Sequence, residues 1–577
     1  MRSRRPPLSN LSDITFQRIT RWIKDCDETH PNCRGYASQS SDPEFRYLPT
    51  RVVHVGSTSQ QPHIHISENH QNDRYVALSH CWGEIPQVKT LEGNIEQHKK
   101  EIIFKRLSKT FQDALRATRR LGIEYIWIDS LCIVQDDKDD WLRESERMGS
   151  IYANAYLTIA ATSSTDGSGG LNGVRPESNW TKFPCDGTDR TKGYMWCTDA
   201  SWTSYGDLDY APLNSRGWVF QEKILSRRII HFAASQVYWE CKHRFFGEER
   251  EEDFGFQDAT LQPSLFWANV NAISNGKTTP VKCADDGRNA EIPGSQLDVF
   301  YKSWRTLIDY YVRKHFTKQS DRLVALLGII RVVEEQTGLR CFDGHWEDGP
   351  QNFLRELMWF PREQRTLSVL DDGRRSRLCS SWSWASLEGE VWHQYLTAST
   401  WANHGLKDCD LRLEVVEEKV HVPWPSHPLK VSGMLRTFYR CRCRGDEYIY
   451  PPKDRGMRAR FKCECRKVEY SEQRIALGRT FLVKAEEHGS ACGWICFDRE
   501  DEEPEQFCLS PVYVAVQSIA YLALVQRSRP DSSERWFERV GVGNIEMVAD
   551  DAAIGYTNTY AEIDLFEGCE RETYYIV

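Results

Sequence analysis

Between Arg74 and Ala161 three short apolar runs alternate with two helical stretches, and this alternation constrains the fold more than any other feature of the chain. Tyr75-Val-Ala-Leu-Ser79 reads as a first buried strand, Tyr125-Ile-Trp-Ile128 as a second ending at Asp129, and Tyr156-Leu-Thr-Ile-Ala-Ala161 as a third. Leu107, Phe111, Ala114, Leu115 and Leu121 recur at helical spacing, with Arg119 and Arg120 in the last turn and Gly122 as the stop. Asp139 or Asp140 is expected to cap a second helix whose apolar face is Trp141, Met148, Ile151, Tyr152 and Ala155. Strands joined through helices by short links require right-handed crossovers, hence a mainly parallel sheet flanked by helices. Ligands of such sheets bind outside the carboxyl ends of the strands, at Ser79 to Gly83, Asp129 to Asp137 and Ser163 to Gly170 here. Neither GxGxxG nor GxxxxGK[ST] occurs in this stretch, which disfavours a standard dinucleotide fold or a P-loop.

At 577 residues the chain exceeds one simple core. Four regions are expected: an N-terminal helix and linker (1–70), the α/β domain (71–245), a linker and helical block (246–370) and a β-rich C-terminal region (371–577). The opening helix carries Ile14, Phe16, Ile19, Trp22 and Ile23 behind Ser12 or Asp13, and the polar stretch 55–73 reads as linker. A further helix fits Trp218 to Leu225, followed by strands Arg228 to Phe232 and Val237 to Cys241.

Composition narrows function. Lys+Arg (74) against Asp+Glu (83) gives a net charge of −9, which argues against nonspecific nucleic-acid binding. The longest charge-free apolar stretch, Val512 to Gln526, is too short to span a bilayer. Met1-Arg-Ser-Arg-Arg-Pro-Pro7 lacks the apolar core of a secretion signal, so a cytoplasmic location and 19 reduced cysteines are expected. Cys26, His30 and Cys33 resemble a metal knuckle, but no second pair follows at finger spacing, and packed thiols are the favoured reading. Cys441-Arg-Cys443 and Cys463-Glu-Cys465 place four thiols on neighbouring segments. The CxC spacing is tighter than the usual CxxC, so buried free thiols are favoured over zinc. Asp136, Asp137, Asp139 and Asp140 lack the Gly and Glu of a calcium loop and read as a solvated helix start.

Adjacent side chains on a strand point to opposite faces, so His80 is poorly placed to activate Ser79 or Cys81 as a nucleophile. Ser79, Trp82 and Gly83 instead form a tight turn at the cleft, with Trp82 stacking on a ring or packing in the core. Asp129 either binds ribose hydroxyls or a metal, or caps the Ser130 turn, the cap being slightly favoured.

Four segments together resemble the fungal heterokaryon incompatibility (HET) domain family. They are Tyr75-Val-Ala-Leu-Ser-His-Cys-Trp-Gly83, Leu121 to Asp136, Met148-Gly-Ser-Ile-Tyr-Ala-Asn-Ala155 and Arg216-Gly-Trp-Val-Phe-Gln-Glu222. Ser381-Trp-Ser-Trp-Ala-Ser386 and Trp536 to Gly541 are similar to segments that often follow this domain. His80 and Val134 depart from it, since many members carry Tyr and Asn there. The resemblance implies a cytoplasmic module, in a filamentous fungus, that triggers cell death when genetically different hyphae fuse. It also implies self-association through this domain and an unknown protein partner. The family is distantly similar to Toll/interleukin-1 receptor (TIR) domains, some of which cleave NAD with a glutamate four residues after a tryptophan. Trp218 and Glu222 have that spacing.

By that analogy Glu222 is the catalytic carboxylate, stabilising an oxocarbenium-like state as nicotinamide leaves NAD, the substrate. Arg216, just before the same helix, would hold the pyrophosphate, and Trp218 joins Ser79, Trp82, Gly83 and Asp129 as binding residues. The competing readings make Glu222 a partner of Arg227 or Arg228, and Arg216 a member of an ion pair with a nearby acid. The functional alternative is a noncatalytic signalling adaptor acting by protein–protein interaction.

Overall fold

The computed structural model describes residues 6–33, 48–68, 73–171, 181–186, 192–197, 204–249, 263–274 and 296–347. Beyond these it describes 353, 356–361, 368–369, 375–376, 379–393, 407–408, 412–415, 427–440, 458–462, 469–473, 480–484, 491–499, 504, 506–515, 518–528, 533–546 and 569–577. Cys441, Cys443, Cys463 and Cys465 lie outside the described residues. The chain divides into two units: 1–268 with 314–317 and 324–332, and 269–313 with 318–323 and 333–577.

In the first unit, helix α1 (Asp13–Thr29) starts at Ser12, whose hydroxyl accepts from Thr15 N at 3.1 Å. It buries Phe16, Ile19, Trp22 and Ile23, while Ile14 faces outward. Strands β1 (Arg51–His54) and β2 (His63–Ile66) follow, then β3 (Tyr75–Ser79), helix α2 (Lys109–Arg120), β4 (Tyr125–Trp127), helix α3 (Lys138–Asn154) and β5 (Leu157–Ala160). Helix α4 (Gly217–Leu225), β6 (Arg228–Phe232), β7 (Val237–Cys241) and β8 (Phe245–Gly247) complete one eight-stranded sheet in the order β8-β7-β6-β5-β3-β4-β1-β2.

The central strands β4, β3, β5 and β6 pair in parallel, and the outer ones are antiparallel. Numbered by chain position the parallel strands run 2-1-3-4, so the crossovers from β3 and from β5 diverge to opposite sides. That reversal creates a crevice at the carboxyl ends of β3 and β5. The sheet is therefore mixed, parallel only at its centre.

Two expectations change. The stretch 55–73, read as linker, contains β2; an edge strand with one solvated face needs few apolar residues, and Ile64 alone of β2 is buried. Asp137, not Asp139 or Asp140, caps α3, accepting from Asp139 N and Asp140 N at 2.9 and 3.0 Å. Asp140 turns inward to Arg51 and Val134 N, so that acidic run is only partly solvated. One core unites α1, α2, α3 and all eight strands, with Trp22, Val53, Ile126, Trp127 and Trp239 among its members.

In the second unit a ten-stranded sheet spans Lys407 to Ile576, antiparallel except where Trp536–Glu546 meets Arg571–Ile576. Helix Gln296–Tyr311 lies in this unit, whereas the unit boundary divides Asp321–Val324 and Leu327–Thr337. Ser381-Trp-Ser-Trp-Ala385 is structural here: Trp382 and Trp384 are fully buried and Trp382 Nε1 donates to His427 O at 2.9 Å.

Candidate functional site

Strand β3 ends at Ser79, and the chain turns out through His80, Cys81, Trp82 and Gly83. Gly83 has φ +62°, and a Cβ there would lie 2.2 Å from Asp166 Cβ, so glycine is required where this loop meets the one after β5. The β4 strand runs into a one-turn helix starting at Asp129. Asp129 Oδ1 accepts from Ser130 N at 2.6 Å, the turn cap, and Oδ2 accepts from Trp82 Nε1 at 2.7 Å. Trp82 is half-buried, its ring 4.8 Å from the Lys89 ammonium.

Helix α4 enters this group from the other side. Its first residue must be small, because a Cβ on Gly217 would strike the Phe316 ring. The preceding Arg216 donates from Nη1 to His80 O. Glu222, the sixth residue of the helix, is buried near Ser79 and Tyr152, whose hydroxyls favour its ionised form. Glu222 Oε2 has no hydrogen-bond partner. Tyr152 Oη donates its one proton to Leu78 O at 3.0 Å.

The electrostatics follow from this packing. Burial raises the Glu222 carboxyl to about 7, and Asp129 adds to the rise, against the nearby Ser79 and Tyr152 hydroxyls and the Arg216 charge. Burial lowers the His80 imidazole, which therefore stays neutral beside Asp129, 3.8 Å from its Nε2. Burial also raises the Cys81 thiol, so no ready thiolate nucleophile exists here.

Ser79, Trp82, Asp129, Arg216 and Glu222 thus come together, with Gly83 at the rim. Trp218 instead packs against the hydrophobic core of the unit. The readings that made Glu222 a surface partner of Arg227 or Arg228 are overturned. Arg227 donates to Asn154 O and Ala155 O at 2.8 and 3.0 Å, and Arg228 pairs with Asp27. Arg216, expected to hold a phosphate or pair with an acid, is engaged by a backbone carbonyl. Tyr152 was legible only as part of an apolar helix face; its hydroxyl acquires meaning from where α3 docks. Elsewhere in this unit, Cys26, His30, Cys33 and Cys241 bring four metal-donor atoms close together.

Residues 75–222 match the family model described as heterokaryon incompatibility protein (HET). The HET-matching segment opens on β3 and closes on Glu222, so its ends are the strand and the carboxylate that meet in this site. No curated protein and no solved structure matches the chain. Among the described residues no helix is long and apolar enough to cross a membrane.

Proposed function

We propose that this chain is a heterokaryon incompatibility-type protein that triggers cell death in nonself recognition by hydrolysing NAD, with Glu222 as the essential carboxylate. The observation that carries the reading is the state of Glu222: buried, raised to about 7, and with one oxygen lacking a partner. A desolvated carboxylate stabilises positive charge far better than a hydrated one. The reaction develops such charge. As the ribose–nicotinamide bond breaks, its electron pair leaves with the neutral nicotinamide nitrogen and C1′ becomes oxocarbenium-like. Water adds to C1′ and loses a proton, giving ADP-ribose. Nicotinamide is already cationic in NAD, so no general acid is needed, and a single carboxylate suffices.

In this reading Ser79 and Tyr152 aim the carboxylate, while Trp82, Gly83 and Asp129 border the nucleotide. Arg216 exchanges His80 O for phosphate oxygens. The substrate class comes from the family resemblance; the chemistry comes from the surroundings of Glu222. The burial of Glu222 equally suits an adaptor, in which the carboxyl group is a structural member and the surface above it binds a protein partner. Full-length protein, clustered through a fused oligomerisation tag and incubated with NAD, separates the two. The enzyme releases nicotinamide and loses that release in Glu222→Gln. Toxicity on overexpression that survives Glu222→Gln in a folded protein establishes the adaptor.

A further inference from the structure

Three cysteines and a histidine from two segments some 200 residues apart meet behind the sheet edge. Helix α1 carries Cys26 in its last turn, and His30 closes that helix, its N–H donating to Cys26 O at 3.0 Å. The short 3-10 turn Pro31–Cys33 then swings Cys33 back, with Cys33 N donating to His30 O at 3.0 Å. Cys241 comes from the end of β7, where the hairpin into β8 turns. All four residues are buried, and one donor atom from each lies within 4.8 Å of the other three.

We infer that Cys26, His30, Cys33 and Cys241 bind one structural zinc ion that fastens α1 to the β7–β8 hairpin. Zinc bound tetrahedrally by thiolates at about 2.3 Å and imidazole at about 2.0 Å separates its ligands by roughly 3.3–3.8 Å. Cys241 Sγ and His30 Nδ1 stand 3.6 Å apart, inside that range. A Cys3His donor set with no further carboxylate or water fits a closed structural site rather than a catalytic one.

The surroundings are those a thiolate site needs. The buried Arg228 guanidinium donates from Nε to Cys26 Sγ at 3.3 Å. Three thiolates around a divalent ion leave a net charge of −1, which Arg228 offsets. The His30 ring stacks on His243 at 4.8 Å between centroids, fixing its plane. Packing alone explains neither the histidine among three thiols nor the convergence of four donors. A disulfide would leave one cysteine over and give His30 no role; all three cysteines are free. The spacing C-x3-H-x2-C lacks its second pair in the local sequence because the fourth ligand comes from another part of the sheet.

The test is metal content of the full chain purified without chelator, with cobalt exchange as a second readout. About one zinc per chain is expected, lost in Cys241→Ser and in His30→Ala but kept in the double variant Cys441→Ser/Cys443→Ser. Cobalt in the wild-type chain gives the intense visible bands of tetrahedral thiolate ligation, so the proposal stays testable if the variants misfold. Chelation is expected to lower the melting temperature and expose Cys26, Cys33 and Cys241 to alkylation. A folded wild-type chain that binds neither zinc nor cobalt overturns the site. So does zinc that survives Cys241→Ser and disappears from the Cys441/Cys443 variant.

Discussion

Each unit buries an ionisable group, Arg539 on a strand and Glu222 on a helix, and the two are treated in opposite ways. In the second unit Arg539 is fully buried and nearly every N–H is used. It meets Asp498 through Nε at 3.0 Å and Nη2 at 3.2 Å, donates to Leu357 O and Trp359 O, and stacks 3.5 Å over the Trp359 ring. Its backbone N–H donates to Ser381 Oγ at 2.9 Å. In the first unit Glu222 Oε2 has no hydrogen-bond partner, and the neighbouring Tyr152 hydroxyl donates to Leu78 O instead. A complete shell marks a group that holds the fold together; an incomplete shell around a charge marks one whose cost is offset elsewhere and is retained for another purpose.

The largest effect expected is on the complete shell. Arg539→Ala leaves Asp498 buried and unpaired and costs about 3–5 kcal/mol of stability, read by denaturant unfolding of the full chain. A loss under about 1 kcal/mol would show that Arg539–Asp498 is not the structural member of the pair.

Glu222→Gln is expected to do the reverse. The folded-state carboxyl, at about 7, lies above its ordinary value of 4.5, so the folded protein keeps its proton longer than the unfolded chain. The stabilisation from protonated Glu222 is therefore complete below pH 4.5, falls as pH rises toward 7 and is gone above it. Glutamine removes that penalty, so the variant gains up to about 3 kcal/mol relative to wild type at alkaline pH and little in acid. Parallel stability curves for the two proteins across this range would break the comparison.

A smaller change sharpens it. Ser79→Ala removes a hydroxyl that favours the ionised carboxylate, an effect of about 1–2 kcal/mol, and is expected to move the Glu222 titration upward by about one pH unit. An unshifted midpoint would place Ser79 outside the site.

Much of the fold was legible because buried central strands announce themselves. Tyr75–Ser79, Arg228–Phe232 and Val237–Cys241 are apolar runs with the boundaries the structure gives. The edge strand His63–Ile66 was not, because three of its four residues are solvated to some degree and its polarity resembles a loop. While Arg216 and Glu222 were singled out by the family resemblance alone, the convergence of Ser79, Trp82 and Asp129 followed from the rule that strand ends face the crevice. Its depth did not. Helix α3 packs on α4 through Gly149 and Leu225, and residues 315–316 meet the start of α4 at Gly217, contacts with no trace in local periodicity. Asp140 and Cys241 were opaque for the same reason: each finds its partners, Arg51 and the α1 cluster, across long stretches of chain.

The most direct measurement is the pH dependence of nicotinamide release from NAD by the clustered full-length protein. Because the carboxylate must be ionised to act, the rate is predicted to climb through pH about 7 to a plateau, and to vanish in Glu222→Gln at every pH. Release that Glu222→Gln leaves intact, or no release from wild type across that range, would contradict the account.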